Sequence, residues 1–393
     1  MTKFKGYLRK DGSVGIRNNI LIIAVDECMD GIARNIALAS DDCVVITNHY
    51  TCMLGGQEET LNMLMEMSCH PNIYGVVVLA MGCGSIDPEI ITDYARSKGR
   101  MAFALTSIKE KGTASSIKRG KEYLSEIVNE ASKIEASLHS ISKLKIGIKC
   151  GGSDTSSGMA SNPSVGHAVD LLVDQGATCI AGELLELVGC EEELLRRVVN
   201  SEVSDKLTRL MSEEEKRWSI GGNTEFMSIG NSVGGLTTIE EKALGSLSKI
   251  GTKPIQGVLE FSQQGHERPE TNGLYLSDVT MLCGGSAMHF ATLGVHIILW
   301  TSGGAGFNSQ LVPVIRVSGN RELINDDIDI DACGIIEGTH TVKHVGEKIR
   351  DEVYEVANGK QTSIESLGYS YATLYQKDVR LEHCMKGMSS CLD

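Results

Sequence analysis

Short apolar runs alternate with amphipathic segments along the first third of the chain. Strands are predicted at 20–25, 44–47, 74–80 and 101–105, and helices at 27–39, 58–68, 90–96 and about 115–137. Strands that are apolar without alternation are typical of sheets covered on both faces. The pattern therefore predicts an α/β fold with mostly parallel sheets, built from Rossmann-like strand–turn–helix units.

The same alternation resumes after a junction near residues 138–143. Strands are predicted at 146–148, 279–282, 295–301 and 312–317, and long helices at 164–176, 204–217 and 341–357. Thr238 and Glu241 fit a capping box, which predicts a helix beginning there. We therefore divide the chain into an N-terminal α/β domain, residues 1–140, and a C-terminal α/β domain, residues 141–393.

Composition and charge exclude several classes of protein. The formal net charge of -14 disfavours nonspecific nucleic-acid binding, because that binding needs a basic face to displace counterions. No apolar run reaches the roughly 18 residues of a membrane helix, and the first residues lack the pattern of a secretory signal. The 12 cysteines are scattered without a CxxC pair, which disfavours a zinc ribbon. We expect a cytoplasmic protein that interacts with neither membranes nor nucleic acids.

The most chemically loaded segment follows the predicted strand at 146–148. It begins Lys149-Cys150-Gly151-Gly152-Ser153-Asp154 and continues with further hydroxyl residues before a helix. A glycine-rich turn between strand and helix is where open α/β sheets bind ligands. Cys150 and Asp154 could bind a metal or transfer protons, and Lys149 could act as a base if desolvated. The alternative is a tight turn held by side-chain-to-backbone hydrogen bonds.

Other strand ends also carry candidate groups. His49 and Cys52 follow the strand at 44–47, and their imidazole and thiolate suit a transition metal; the alternative is a loop histidine beside a buried thiol. Glu183 and Glu186 suit a hard metal or a general base, or they are solvated at a helix start.

Four further histidines and the glycine loop at 302–306 are also candidates for binding or catalysis. His266, beside Glu267 and Arg268 in a polar loop, could meet a carboxylate, whereas His289 fits a core position. His340 and His344 are one helical turn apart without an acidic motif, which makes a zinc site a weak hypothesis. The loop lacks both the P-loop and the dinucleotide spacing, so nucleotide binding is not supported.

Five segments of the chain, taken together, resemble the altronate/galactarate dehydratase family, including its sulfolactate sulfo-lyase branch. They are GYLRKDGSVGIRN at 6–18, HPNIYGVVVLAMGCG at 70–84, CGGSDTSSGMASNPSVGHAVDLLV at 150–173, GGLTTIEEKALG at 234–245 and PVIRVSGN at 313–320. The resemblance spans about residues 6 to 330, in order. The CGGSD and GLTTIEEK segments are its most specific parts.

The resemblance implies a metal-assisted lyase that dehydrates a sugar acid, such as altronate or galactarate, to a 2-keto-3-deoxy acid. It implies a divalent metal, Fe2+ or else Mn2+, and a hydroxylated carboxylic acid as substrate. We accordingly expect catalytic roles for Cys150, Asp154 and Lys149, and a metal at His49 and Cys52. Ser153, Asn162 and Arg316 are the expected substrate-binding residues. In the sulfo-lyase branch the leaving group would be sulfite and the keto acid pyruvate.

The chain departs from the family pattern in three places. Full-length members carry a small N-terminal β-rich domain, whereas this chain starts at the GYLR segment. It looks like the large subunit of a two-chain, oligomeric enzyme whose small β-rich subunit is a separate polypeptide. The later glycine loop lacks the arginine and threonine-proline pair of the family, and the tail lacks its aromatic-proline-tryptophan motif. A non-catalytic structural subunit is the rival hypothesis.

Overall fold

The structure is a computed structural model that describes residues 3–49, 57–219, 227–262, 265–280, 283–302, 311–368 and 372–374. The described residues form a mixed α/β fold, as predicted, with two units that follow one another along the chain. None of the helices among them is both long and apolar enough to cross a bilayer.

The first unit holds two sheets and the helices that cover the larger one. Its elements are β1 (Lys3–Leu8), β2 (Val14–Gly15), β3 (Asn19–Ala24), α1 (Asp30–Ala37), β4 (Cys43–Thr47), α2 (Gln57–Ser68), β5 (Ile73–Ala80), α3 (Pro88–Ser97), β6 (Met101–Thr106), α4 (Thr113–Ala131) and β7 (Ser137–Ser140). Within the described residues, the larger sheet has the order β4-β3-β5-β6 and is entirely parallel. Strand β3 is buried from Ile20 to Ala24, which explains its continuous apolar sequence.

The smaller sheet is antiparallel, with the order β2-β1-β7 among the described residues. It corrects one prediction, because the helix expected to run to about residue 137 ends at Ala131. The segment after it instead pairs with β1, from Ser137 opposite Gly6 to Ser140 opposite Lys3. Helical periodicity alone could not reveal this pairing, since the partner strand lies more than a hundred residues earlier in the chain.

The second unit contains the larger sheet of the molecule. Its elements are β8 (Lys145–Cys150), α5 (Asn162–Asp174), β9 (Thr178–Ala181), α6 (Glu191–Leu195), α7 (Ser201–Trp218), α8 (Ile229–Val233), α9 (Ile239–Lys249), β10 (Ile255–Leu259), β11 (Phe261–Ser262), β12 (Gly265–His266), β13 (Gly273–Ser277), α10 (Cys283–Thr292), β14 (Ile297–Thr301), β15 (Val314–Ser318), β16 (Ile330–Asp331), α11 (Val342–Ala357) and α12 (Ser363–Ser366). In the described part of the chain the sheet has the order β10-β13-β9-β8-β14-β15-β16, and every pair is parallel.

The two units share one apolar core. It joins Met63 and Leu64 of α2 with Met288 of α10 and Trp300 of β14. Polar contacts fix the same joint, because His70 Nε2 lies 2.9 Å from the Val295 carbonyl oxygen. The two units are therefore packed against each other at this contact.

Candidate active site at the carboxyl edge of the seven-stranded sheet

Parallel strands bring distant segments of the chain together at their carboxyl ends. Strand β8 ends at Cys150, β9 at Ala181 and β14 at Thr301, and all three are neighbours in the sheet. Open α/β sheets bind their ligands at this edge. The predicted CGGSD segment leaves the sheet here, and a glutamate follows the neighbouring strand β9.

Lys149 and Glu183 form a buried ion pair at this edge. Lys149 Nζ donates to a carboxylate oxygen of Glu183 and also to the Cys150 carbonyl oxygen at 2.7 Å. The other Glu183 oxygen accepts from the Cys150 backbone N–H at 3.0 Å. Lys149 Nζ also lies 5.2 Å from the ring centroid of Trp300, within reach of a cation–π contact. The position of the Glu183 carboxylate is thus fixed by the strand beside it.

The backbone of Glu183 is in the left-handed region, with φ at 69°. A side chain with a Cβ seldom adopts this conformation unless its surroundings impose it. Such strain costs about 1–3 kcal/mol and clusters at functional sites. Here the backbone N–H of Glu183 donates to the Val279 carbonyl oxygen at 3.1 Å, while the carboxylate is held by Lys149 and Cys150.

A second glutamate extends the ion pair into a network. Lys249 Nζ donates to Glu186 at 2.7 Å and lies 3.6 Å from Glu183, and Lys242 Nζ lies 3.4 Å from Glu186. Ser246 donates to the same Glu186 carboxylate at 3.4 Å. All of these side chains are at least nine-tenths buried.

The network shifts the pKa values of Glu183 and Glu186 in opposite directions. Burial alone would raise the pKa of Glu186, but the charges of Lys249 and Lys242 hold it well below its usual range. Burial, together with the neighbouring Glu186 carboxylate, raises the pKa of Glu183 despite its lysine partners. Glu183 is therefore the carboxyl group of the network that takes up a proton more readily.

Helix α9 supplies two of the three lysines of the network, and its start follows the predicted capping pattern in part. The Thr238 side chain accepts from the Glu241 backbone N–H at 3.2 Å. The Glu241 carboxylate turns to Thr237 instead of Thr238, accepting from the Thr237 N–H and hydroxyl at 2.8 Å each. Lys242 and Lys249 lie seven positions apart, and this spacing places them on one face of the helix.

Cys150 and Ser153 are in direct contact beneath the loop, with Sγ and Oγ 2.7 Å apart. The thiol is fully buried, and that burial raises the pKa of Cys150. A buried thiol of this kind is protonated at neutral pH and is a poor nucleophile or metal ligand. Cys150 lies beside the network, because its backbone contacts both Lys149 and Glu183.

The Asp154 carboxylate organises the loop after β8. It accepts from the Ser157 backbone N–H at 2.7 Å, from the Ser156 hydroxyl at 2.8 Å and from Asn320 Nδ2 at 3.1 Å. The turn alternative foreseen from the sequence is thus realised here. It does not exclude a chemical role, since these three donors are neutral and no ion pair joins Asp154 to a cation among the described residues.

The loop and α9 enclose a cavity of about 360 Å³ that opens to solvent. Its lining includes Ser153, Asp154, Asn162, Glu241, Lys242 and Gly245. One wall is a π-helical turn at Ser157–Ser161, a feature that occurs frequently at functional sites. The turn approaches α9 closely because Gly158 meets Gly245 without side chains between them.

Asn162 lies at the start of α5 and faces the same cavity. Its Nδ2 donates to the Gly245 carbonyl oxygen at 3.0 Å. Its Oδ1 is buried and has no hydrogen-bond partner among the described residues. A buried acceptor without a donor is costly.

Arg316 occupies a different position from the other predicted substrate residues. It pairs in register with Trp300, which pairs in register with Lys149, so the three lie in one row across β8, β14 and β15. Its guanidinium lies 3.5 Å from Asp327, and it is not part of the cavity lining described above.

The predicted metal residues can be compared with the structure only in part. His49 is about half exposed, and its Nδ1 lies 4.0 Å from a Glu27 carboxylate oxygen. Cys52 lies outside the described residues. Over the described ranges, no three His, Cys, Asp or Glu side chains gather in a way that could hold a metal ion. The described donors do not, by themselves, fit a complete metal site.

The weaker histidine candidates separate into core and surface. His289 is buried, as expected, with its ring 5.3 Å from that of His266. Glu267 and Arg268 pair with Lys206 and Glu66 respectively. His340 and His344 stack on each other at 5.1 Å on an exposed helix start.

Sequence reasoning did not single out Lys242 or Lys249. Their partners lie 56 to 66 positions earlier in the chain, so no local spacing marks them. The sequence does show that Lys242 and Lys249 are seven positions apart, which places them on the same face of a helix. If that face is buried, the two lysines need acidic partners.

Comparison with known proteins places this α/β chain in the lyase class. Residues 6–132 match the family model described as "D-galactarate dehydratase/Altronate hydrolase, second domain". Residues 141–380 match the model described as "D-galactarate/Altronate dehydratase, C-terminal". The chain belongs to the galactarate/altronate dehydratase family, which confirms the resemblance stated above.

Named relatives cover almost the whole chain. It is 29% identical to the (2R)-sulfolactate sulfo-lyase subunit beta of Chromohalobacter salexigens, over 93% of this chain and 95% of the relative. It is 30% identical to the altronate dehydratase of Bacillus subtilis, over 96% of this chain and 78% of the relative. It is also 30% identical to the galactarate dehydratase of Escherichia coli, over 91% of this chain and 73% of the relative. All are lyases, in agreement with the predicted enzyme class.

Proposed function

We propose that the chain dehydrates a sugar acid, such as altronate or galactarate, to a 2-keto-3-deoxy acid. The observation that carries this proposal is the cavity at the carboxyl edge, where Asp154, Asn162 and Lys242 converge above a buried charge network. An acid, an amide and an ammonium group around one small cavity suit a substrate that has both hydroxyl groups and a carboxylate.

In this proposal Asp154 is the general base. Of the predicted catalytic residues, it is the one that belongs to the cavity lining. It takes the proton from the carbon next to the substrate carboxylate. The carbon–oxygen bond at the following carbon then breaks, and the leaving hydroxyl departs as water with that proton. The resulting enol shifts its hydroxyl proton to carbon and becomes the 2-keto acid.

Lys149 and Cys150 act as positioning residues in this account. Both are buried under the loop, and Cys150 connects to it through the contact with Ser153. The network holds the β8 end and the loop that follows it in one arrangement. Preorganised charges of this kind stabilise developing charge without reorganisation during the reaction.

The second candidate function is the elimination of sulfite from (2R)-3-sulfolactate to give pyruvate. It is favoured by the match to the sulfo-lyase subunit beta, because the two chains cover 93% and 95% of each other. The first step would be the same proton removal, and the carbon–sulfur bond would break in place of the carbon–oxygen bond. Sulfite release from sulfolactate, measured beside keto-acid release from sugar acids, separates the two candidates.

We also propose a requirement for a divalent metal, most simply Fe2+. The predicted ligands are His49 and Cys52, and a Glu27 carboxylate oxygen lies 4.0 Å from His49 Nδ1. When bound, the metal would supply positive charge, which would stabilise the negative charge that develops on the substrate as the proton is removed. Metal analysis of the purified protein and of the His49→Ala variant tests this proposal: equal metal content in both would contradict the assignment of His49.

A small β-rich subunit is the proposed partner. One relative is named as a subunit, and it matches this chain over 95% of its own length. Met159, Ile229, Val233 and Leu244 are each more than half exposed. They surround the cavity, since Met159 and Leu244 line it and α8 contacts Ser153 through Asn231. We propose that the partner covers these apolar side chains.

Co-purification with the partner tests this surface. The Ile229→Ser/Val233→Ser double variant should lose the partner while keeping its fold, because the apolar area that drives association is removed. Leu38→Ser, which changes an equally exposed leucine on the first unit, should retain it. Partner binding by the double variant at the wild-type level would contradict this location.

The activity itself is tested with the purified chain, supplied with ferrous iron and with any co-purifying partner. A panel of sugar acids and sulfolactate is assayed for 2-keto acid and for sulfite. Production of a 2-keto acid without sulfite supports the dehydratase, and production of pyruvate with sulfite supports the sulfo-lyase. Absence of both products over the whole panel would contradict a lyase function.

A further inference from the structure

The buried network carries an unequal number of charges. It contains the ammonium groups of Lys149, Lys242 and Lys249 and the carboxylates of Glu183 and Glu186. One positive charge is therefore without a carboxylate of its own inside the network. A buried charge is costly unless it is paired, so the location of this excess is informative.

The positive charge with the weakest carboxylate contact is that of Lys242, which lies at the outer end of the network. Its Nζ lies 3.4 Å from Glu186, whereas Lys249 takes the closer position at 2.7 Å on the other oxygen of the same carboxylate. Lys149 and Lys249 both lie close to Glu183 as well. Lys242 is only 5% exposed, yet it lines the cavity.

Within the described part of the chain, neither acidic side chain of the cavity lining forms an ion pair with Lys242, whose carboxylate partner is Glu186. Glu241 accepts two hydrogen bonds from Thr237 at the start of α9. Asp154 accepts from Ser156, Ser157 and Asn320. Among the described residues that line the cavity, Lys242 is the cation, and it can accept a further anionic partner from the solvent side.

Asn162 supplies an independent observation in the same cavity. Its Nδ2 is fixed by the Gly245 carbonyl oxygen, which identifies Oδ1 as the remaining acceptor. That oxygen is buried and has no donor within the described part of the chain. A ligand hydroxyl group would supply the missing hydrogen.

We propose that Lys242 and Asn162 form the subsite for the 2-hydroxy-acid end of the substrate, with Lys242 binding the carboxylate and Asn162 Oδ1 accepting from the hydroxyl group. The inference rests on the proposed function for the identity of the ligand as a substrate. It assigns Lys242 a role in specificity that the sequence did not indicate. Both candidate reactions share this end of the molecule, so the subsite serves either one.

Ligand-observed NMR with three small probes tests the subsite without turnover. Lactate carries the hydroxyl and the carboxylate, propionate lacks the hydroxyl, and propane-1,2-diol lacks the carboxylate. Lactate should bind most tightly to the wild-type protein. In Lys242→Met the affinities for lactate and propionate should both fall roughly tenfold or more, because a charge-assisted hydrogen bond is lost, while diol binding is unchanged.

Matched variants separate this effect from a change of fold or of net charge. Lys253→Met removes a lysine that pairs with Asp174 at the surface beyond α9, and it should bind all three probes as the wild type does. Lys242→Arg keeps the charge and should keep lactate binding. In Asn162→Leu the preference for lactate over propionate should disappear. A general loss of stability would weaken the binding of both probes and would leave the ratio of the two affinities unchanged.

Two results would overturn the subsite. One is lactate binding by Lys242→Met at the wild-type affinity, and the other is a wild-type protein that binds lactate no better than the diol. Failure of the proposed function has a different signature. In that case lactate binding still depends on Lys242, but neither keto acid nor sulfite forms from any acid in the panel.

Discussion

The ammonium group of Lys149 and the carboxylate of Glu183 form an ion pair in which neither side chain is more than 2% exposed. Removing one member of a buried pair leaves the other charge uncompensated, which costs about 3–5 kcal/mol. Glu183→Gln should therefore lower the free energy of unfolding by about this amount, measured by urea denaturation.

A surface pair provides the control for this prediction. Glu89 and Arg96 are 3.5 Å apart with both side chains well exposed, so Glu89→Gln should change the free energy of unfolding by less than about 1 kcal/mol. If Glu183→Gln were as stable as the wild type, the Glu183 carboxyl group would already carry a proton in the folded protein. The description of the network as an ionised cluster would then be wrong.

Close packing between α5 and α9 sets the width of the cavity. A Cβ added at Gly166 would lie 2.0 Å from the Ser248 carbonyl oxygen, so Gly166→Ala must push the two helices apart. Overpacking of this kind costs about 1–3 kcal/mol. Chemical denaturation should show this loss, together with weaker ligand binding in the cavity.

Gly31 in α1 is the matched control, because a Cβ there meets nothing within 4 Å. Gly31→Ala should be neutral or should stabilise the protein by up to about 1 kcal/mol, since alanine favours the helix. A Gly166→Ala variant as stable as Gly31→Ala would show that the helix contact is not tight.

The sequence predicted most strands of the parallel sheets, because strand and helix periodicities are local. One strand was misplaced: it was predicted at 279–282, whereas the sheet strand of this region is β13 at Gly273–Ser277. The strand predicted at 20–25 is β3 at Asn19–Ala24, and the helix predicted at 164–176 is α5, which begins two residues earlier. The start of α9 at Thr238 was equally visible, because a capping residue acts within one turn.

The candidate site could be predicted only where its residues follow one strand. Ser153 and Asp154 are recognisable from the glycine turn after β8, and Glu183 from its place after β9. Lys242 and Lys249 come from a helix far along the chain. The left-handed backbone of Glu183 could not be predicted either, because a glycine usually occupies such a position. Both features depend on tertiary contacts that local spacing does not encode.

The joint between the two units should make stability depend on pH. His70 and His296 are buried, and each Nδ1 accepts from a backbone N–H while each Nε2 lies beside a backbone carbonyl oxygen. Burial and the nearby charge of Lys145 lower the pKa of His296 to about 4. Burial and its neighbour His296 hold the pKa of His70 well below its usual range.

Because the folded protein disfavours the charged form of both rings, their contribution to stability is complete above about pH 6.5 and is lost as the pH falls. Each histidine should remove about 1.4 kcal/mol per pH unit below that value. Urea denaturation at about pH 7 and about pH 5 measures this slope, which should become smaller in His296→Asn. Equal stability of the wild type at the two pH values would contradict the prediction.

The central claim is that the cavity beneath the CGGSD loop eliminates water or sulfite from a hydroxylated acid with Asp154 as the base. Its most direct test is the rate of 2-keto-acid formation by the wild type and by Asp154→Asn, each supplied with iron and with any partner. A lost general base should lower kcat by roughly 100-fold or more, whereas Asp174→Asn, at a surface aspartate, should match the wild type. Undiminished turnover by Asp154→Asn would contradict the account and would favour a non-catalytic role for this loop.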